Sequence, residues 1–406
     1  MKTKLEASGK VIFALTLIHF SGDFFSSFVT PLLPTLAHTF SLSLTQVGLL
    51  TGINRFMAFL VQPSVGYLAD NYHTRIFVLG GPLMAICFIP LIGIAPGFFT
   101  LILFVALGSI GSSMFHPVCA GMVSTYAGRH FGFSMSIFNM GGTLAFAVGP
   151  LFITTFVRNY GLRALPLTMV IGLAIMALLV RIVPTPQSEG LSERGFMGSL
   201  REAFGSAWRY VLLLWAIMVL RSYVGQSFMT FVPILYTKHG YSLVSVGAIV
   251  SLFTLAGALS GLLAGHLSDR VGYRPIFLVA HFLTTPCLLL FLHPAGTGVY
   301  FAAFLSGFMA LATLPLGVAM AQELAPKGKS MVSSLMMGLA FGTGGMMAPL
   351  TGKLADIYSI QAVLGILAFI PLASIALILL LPGRIGGEGN GVETGGASTE
   401  QGIDGG

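Results

Sequence analysis

One pattern is written twice in this chain. Gly66-Tyr67-Leu68-Ala69-Asp70, followed by Arg75, returns 199 positions later as Gly265-His266-Leu267-Ser268-Asp269, followed by Arg274. The same offset carries Pro34 onto Pro233, Gly48 onto Gly247, Gly108 onto Gly307 and Pro150 onto Pro349. A register held across most of both halves is an internal repeat. Each copy is apolar, and the motif closes its second long hydrophobic segment. The unit therefore reads as a helical membrane bundle used twice in parallel.

Hydrophobic residues make up 55% of the chain and charged residues 8%, with a mean hydropathy of +0.90. Soluble domains carry about 25% charged residues. The chain is thus an all-α, multi-pass membrane protein, with twelve apolar runs of the roughly 20 residues needed to span hydrocarbon as helix. The runs divide into an N-terminal six-helix bundle at 1–183 and a C-terminal one at 208–382. Between them, 184–207 is polar, proline-containing and of mixed charge, a linker with no apolar face to bury. The glycine-rich stretch 383–406 has almost no large apolar residue and reads as a disordered tail.

The first run holds His19 and Asp23 and lacks a small-residue cleavage site, so it reads as a retained span and not a signal peptide. Cys87, Cys119 and Cys287 fall inside spans without metal-ligand or disulfide spacing, and neither a metal nor a cofactor is implied. The net charge of +7 is scattered over short loops, which excludes a nucleic-acid face. With the N-terminus inside, fourteen Lys and Arg fall on the cytoplasmic side and four (Arg158, Arg163, Lys238, Lys353) on the other. This bias places both termini in the cytoplasm and the protein in the inner membrane.

The Gly-x-x-x-Asp-x-x-x-x-Arg element after the second and eighth spans resembles the signature loop of the major facilitator superfamily. The second copy, with Gly265, Asp269, Arg270, Gly272 and Arg274, is nearly complete; the first departs at Asn71 and His73. In the closed inner gate, Asp70 and Asp269 would accept hydrogen bonds from a helix N-terminus of the opposite bundle, and the arginines would pair with acidic groups nearby. Gly66, Asp70, Arg75, Gly265, Asp269, Arg270 and Arg274 are therefore candidate gating residues, joined by Glu323 near the inner end of the tenth span. Ser112 through Pro117, Gly128-Arg129-His130 with Ser136 through Gly142, and Ala321 through Pro326 are similar to the fosmidomycin-resistance branch, as is His19 with Asp23. Relatives there often carry an acid after the His116-Pro117 pair, where this chain has Val118.

A charge at the bilayer centre costs about 2.5–3.5 kcal/mol on insertion scales. Asp23, Arg55 and Arg221 are the charges so placed, each about 18–21 Å deep at ~1.5 Å per helical residue. Asp23 shifted by 199 falls on Ser222, beside Arg221. The resemblance implies that helices 1, 4, 7 and 10 line a central cavity, so Asp23 and Arg221 would face it from opposite bundles. His19 lies one turn before Asp23 on the same helix face. The expected proton-coupling set is Asp23, His19 and Arg221. The alternative is a structural ion pair between Asp23 and Arg55.

Arg55, His116, Asn139, Tyr223, Gln226 and Phe24 are candidate substrate contacts, and His281 reads as structural. Two arginines against one acid favour an anionic or phosphonate-like substrate. The expected function is a proton-coupled secondary transporter, a drug/proton antiporter exporting small organic compounds by alternating access. Proton-coupled or facilitated uptake of an organic anion is the alternative. A membrane-embedded enzyme is a remote one, since no metal-ligand spacing or activated nucleophile accompanies the histidines. No phosphate-binding glycine loop points to ATP. The implied partners are the substrate, protons and the lipid bilayer, and the resemblance implies a monomer.

Overall fold

The computed structural model describes residues 2–71, 75–127, 131–185, 207–293, 296–324 and 335–382. The tail, the linker between Thr185 and Ala207, and the loop positions His73 and Arg129 lie outside these residues, as do the surroundings of Gly66 and the side chains of Asp70, Asn71 and Asp269. The N-terminal bundle holds α1 (Gly9–Thr39), α2 (Leu44–Asn71), α3 (Ile76–Ile94), α4 (Phe98–Ala127), α5 (Phe131–Tyr160) and α6 (Leu162–Leu179). The C-terminal bundle holds α7 (Trp208–Lys238), α8 (Leu243–Val271), α9 (Tyr273–Leu292), α10 (Gly298–Leu324), α11 (335–357) and α12 (Ile360–Ile378). Among the described residues, eleven helices are long and apolar enough to cross a membrane.

The twelfth expected span is α11, which is built in pieces. A π-helical turn at Leu335–Ala340 leads into Phe341–Gly345 and then Ala348–Ile357. Gly342, Gly344 and Gly345 supply the local cause, since glycine weakens a helix by about 1 kcal/mol relative to alanine. Their lack of side chains also lets other helices close in. A Cβ on Gly345 would lie 2.3 Å from Cγ of Arg55, and one on Gly344 would lie 2.5 Å from the Val219 carbonyl.

The repeat is visible in three dimensions as matched contacts. Arg75 donates from Nη1 to the Val180 carbonyl at 3.3 Å, and Arg274 donates from Nη2 to the Leu379 carbonyl at 2.7 Å. Val180 and Leu379 are 199 apart and end the last helix of each bundle, where a cation meets unpaired carbonyls and the negative end of the dipole. Each signature arginine is thus bound within its own bundle. Gly48 of α2 meets Pro349 of α11, and Gly247 of α8 meets Pro150 of α5: a Cβ on Gly48 would lie 2.8 Å from Cα of Pro349, and one on Gly247 would lie 2.8 Å from the Pro150 carbonyl. Four positions marked by the repeat therefore meet one another across the bundle interface.

That interface is tight at one end. We call the end carrying Asp70 and Asp269 the linker end and its opposite the far end. The apolar core of the N-terminal bundle continues into the far half of the C-terminal bundle, through Val47 and Leu50 with Phe231, Val246 and Ile249. The linker-end half of the C-terminal bundle keeps a separate core around Leu214, Met218, Phe277 and Met320. Hydrogen bonds cross near the middle and far end, from Arg55 Nε to Gln226 Oε1 at 2.8 Å and from Thr230 Oγ1 to Thr51 Oγ1 at 3.1 Å. Toward the linker end the approach loosens. A Cβ on Gly338 would sit 3.8 Å from Gln62 and Pro63, and one on Gly121 or Gly265 would meet nothing within 4 Å.

Candidate functional site

Three buried or half-buried polar side chains converge inside the N-terminal bundle. His19 and Asp23 lie one turn apart on α1, and His116 faces them from α4. His19 Nε2 is 3.2 Å from Asp23 Oδ2, and His116 Nε2 is 3.3 Å from Asp23 Oδ1. Asp23 is 4% exposed and His19 7%, so the carboxylate draws its stabilisation from these neighbours and not from water.

The far side of each imidazole fixes its proton. His19 Nδ1 is 2.8 Å from the Phe138 carbonyl of α5, and His116 Nδ1 is 2.6 Å from the Ser112 carbonyl of its own helix. A carbonyl only accepts, so hydrogen-bond logic places a hydrogen on each Nδ1. In the neutral tautomers both Nε2 atoms then present lone pairs to carboxylate oxygens, an arrangement that repels. A proton at either Nε2 turns its contact into a charge-assisted hydrogen bond. Asp23 Oδ1, facing His116, has no aligned hydrogen-bond donor. The cluster is one carboxylate faced by two imidazole nitrogens.

Aromatic rings hold the two imidazoles in place. Phe138 stacks on His19 and Phe115 on His116, each at 4.2 Å between centroids. The two imidazoles meet edge to face at 5.0 Å. Gly142 of α5 makes the space: a Cβ there would lie 2.4 Å from His19 Nε2 and 2.7 Å from Asp23 Oδ2. In sequence, Gly142 closes the Ser136–Gly142 segment that carries the family resemblance, and His116 reads as a substrate contact. Their common neighbour, Asp23, lies on another helix, so no local signal joins the three. The ligand atoms of His19, Asp23 and His116 lie within 4.8 Å of one another, a spread compatible with a metal ion as well. Each nitrogen, however, addresses a different oxygen of one carboxylate, which single protons satisfy without the fourth ligand of a closed metal site.

The arginines stand apart from this cluster. Among the described residues, the ion-pair contacts of Asp23 are with the two histidines and with neither Arg55 nor Arg221. Arg55 packs on Gly345 and donates to Gln226, whose Nε2 donates on to Thr230 Oγ1 at 3.2 Å. Arg221 lies over the Phe341 ring at 5.8 Å, and its Nε is buried without a partner. Both guanidiniums thus flank the Phe341–Gly345 segment of α11. Arg221 also lines a small cavity of about 10 Å³ within the C-terminal bundle, together with His281, Thr284 and Thr313.

The remaining expected site residues are spread out. Tyr223 is buried and its hydroxyl accepts from Thr351 Oγ1 at 3.1 Å. Phe24 belongs to an aromatic cluster with Phe20, Phe28 and Phe152. Asn139 is exposed. Glu323, a gating candidate, accepts from the Tyr273 hydroxyl at 2.5 Å. Arg270 is exposed.

Two six-helix bundles related by an internal repeat, with ionisable groups buried among their helices, are the architecture of a membrane transporter. The chain belongs to the Major Facilitator Superfamily, whose sequence model matches residues 15–327 and 217–398. It is 27% identical over 394 residues to the fosmidomycin resistance protein of Escherichia coli K12, covering 94% of this chain and 95% of that one. It is also 28% identical over 255 residues to the multidrug resistance protein MdtG of Salmonella paratyphi A, covering 60% and 61%. Among solved structures, the nucleoside transporter NupG superposes with a TM-score of 0.74 at 13% identity, covering 91% of this chain and 98% of that one. A bacterial homolog of the human lysosomal transporter Spinster, in an inward-facing and unoccupied conformation, superposes with a TM-score of 0.72 at 17% identity, covering 92% and 95%.

Proposed function

We propose that this chain is a proton-coupled secondary transporter of the inner membrane, a drug/proton antiporter that exports small organic compounds by alternating access. The carrying observation is the buried carboxylate of Asp23 facing two imidazole nitrogens whose other ring nitrogens already donate to carbonyls. Such a group can gain and lose protons at Nε2 without rebuilding its hydrogen bonds elsewhere. Its location between α1 and α4 lets proton occupancy bias the packing of these two helices.

Arg55 and Arg221 supply positive charge beside the Phe341–Gly345 segment without an acidic partner among the described residues, which suits an anionic or phosphonate-like substrate. The names of the similar fosmidomycin and multidrug resistance proteins agree with export. Both termini are assigned to the cytoplasm, so the linker end faces inward and the tight far end outward. Asp70, Asp269 and Arg270 are assigned to the inner gate. The protein is assigned as a monomer.

The test compares drug susceptibility of a pump-deficient bacterial strain carrying wild type or Asp23→Asn at matched membrane levels, with a phosphonate antibiotic in the panel. Substrate exchange without a proton gradient is measured in vesicles alongside. Resistance should vanish in the variant while exchange persists. Full proton-driven transport by Asp23→Asn would remove Asp23 from coupling, and heightened sensitivity with wild type would turn the direction to uptake.

A further inference from the structure

The start of α2 is completed by the other bundle. Ser43 and Gln46 form a reciprocal capping box: the Gln46 N–H donates to Ser43 Oγ at 3.2 Å, and the Ser43 N–H donates to Gln46 Oε1 at 2.9 Å. That leaves the Leu44 and Thr45 N–H groups of the first turn to find acceptors. Both turn to Asp356 of α11, in the opposite bundle. Leu44 N donates to Oδ1 at 2.8 Å, Thr45 N to Oδ2 at 2.9 Å, and the Thr45 hydroxyl to Oδ2 at 2.6 Å. A carboxylate is the acceptor best suited to the positive end of a helix dipole.

The repeat supplies an internal control. Ser242 and Ser245 stand where Ser43 and Gln46 stand in the first half, and Ser242 Oγ likewise accepts from the Ser245 N–H, at 3.1 Å. The position matching Asp356 is Val157, which has no side-chain acceptor to offer the start of α8. Both seams share the glycine-to-proline contact, but of the two only the α2–α11 seam has this acid. Helix propensity and packing do not account for the difference, because the two seams are otherwise built on one plan.

We infer that Asp356 is a latch: it holds the far end of the transporter shut by capping α2 from α11, and so biases the central cavity toward the linker end. This rests on the alternating-access reading above. The three hydrogen bonds join residues of different bundles, so opening the far end breaks all of them together. Opening the linker end leaves them intact. Once the far end is open, water takes over the Leu44 and Thr45 donors, and the carboxylate loses its cap geometry. Asp356 is thus a positioning residue that touches neither the His19–Asp23–His116 cluster nor the arginines.

The test reads far-end opening directly. In full-length protein with Cys87, Cys119 and Cys287 replaced, a Thr51→Cys reporter sits in the buried α2–α7 contact, reachable by a membrane-impermeant maleimide from the far side only when that end opens. Asp356→Ala should speed labelling by about five-fold, the scale of a lost helix cap, and Asp356→Glu should restore most of the protection. Unchanged labelling in Asp356→Ala would overturn the latch. Asp356→Leu roughly keeps the side-chain volume, removes both acceptor oxygens and decides the question in the same way if the alanine variant fails to reach the membrane. A wild-type reporter that never labels, even with substrate added, would count against alternating access itself, and a Gly48→Val reporter protein, wedged at the same seam, separates that failure from a failure of the latch.

Discussion

The two halves of the molecule agree where they build the scaffold and disagree where they carry charge. Gly48 and Gly247, Pro150 and Pro349, and Arg75 and Arg274 make equivalent contacts in both halves. The buried cluster has no such twin. His19, Asp23 and His116 correspond to Met218, Ser222 and Pro315, and Gly142, which leaves space for the cluster, corresponds to Phe341. In the C-terminal half that ring fills the volume and carries Arg221 on its face. Gly22, the counterpart of Arg221, lets the Phe115 ring approach α1 in the N-terminal half, where a Cβ would come within 2.4 Å of it. A duplicated fold thus supplies a symmetric scaffold, and chemistry is placed by breaking the symmetry at a few interior positions.

This comparison is broken most forcefully by filling the N-terminal site. Gly142→Ala drives a methyl against His19 Nε2 and Asp23 Oδ2, both held by their own contacts. Overpacking of this kind costs about 1–3 kcal/mol, and transport in membrane vesicles should fall by roughly ten-fold or more, since about 1.4 kcal/mol is a factor of ten. Transport unaffected by the methyl would show that the cluster does not need its observed geometry.

The seams come next. Alanine at Gly48 meets backbone of Ala348 and Pro349, whereas alanine at Gly247 meets the Thr154 side chain as well as the Pro150 carbonyl. A hydroxyl can rotate and a backbone cannot, so Gly48→Ala should lower the melting temperature in detergent more than Gly247→Ala, each by an amount equivalent to about 1–3 kcal/mol. Equal losses would mean that both seams relax alike.

The smallest effect is expected at the signature arginines. Arg274→Ala removes a 2.7 Å bond to the Leu379 carbonyl, and Arg75→Ala removes longer bonds of 3.3 Å to Val180 and to Thr185 Oγ1. Cations at exposed helix ends contribute about 0.3–1 kcal/mol. Arg274→Ala should therefore be the more destabilising of the two by a few tenths of a kcal/mol, read from paired thermal melts. A larger cost for Arg75→Ala would point to a role beyond capping α6.

Much of this architecture is legible in the chain alone. Apolar runs long enough to span a membrane are local in sequence, and α11 still reads as a span although its glycines divide it into pieces. The pairing of His19 with Asp23 is also local, because residues four apart share a helix face. His116 is visible as an intramembrane histidine, but its distance to Asp23 depends on how α4 packs on α1. Asp356 carries no signal at all. It sits in an ordinary Lys353-Leu354-Ala355-Asp356 run at a helix end, and its partners are 311 and 312 residues away. The alternative Asp23–Arg55 ion pair is absent among the described contacts for the same reason. Equal depth in the membrane fixes one coordinate of a side chain and leaves its direction around the helix axis to packing.

By itself the sequence determined the membrane class, the two-bundle plan and the 199-residue register, because hydropathy and repetition are properties of the chain read in order. Tertiary structure alone decided which of the buried charges meet. It placed Asp23 between two histidines and left Arg221 over an aromatic ring, because inside a bundle the desolvation of a charge is offset only by the groups that neighbouring helices turn toward it.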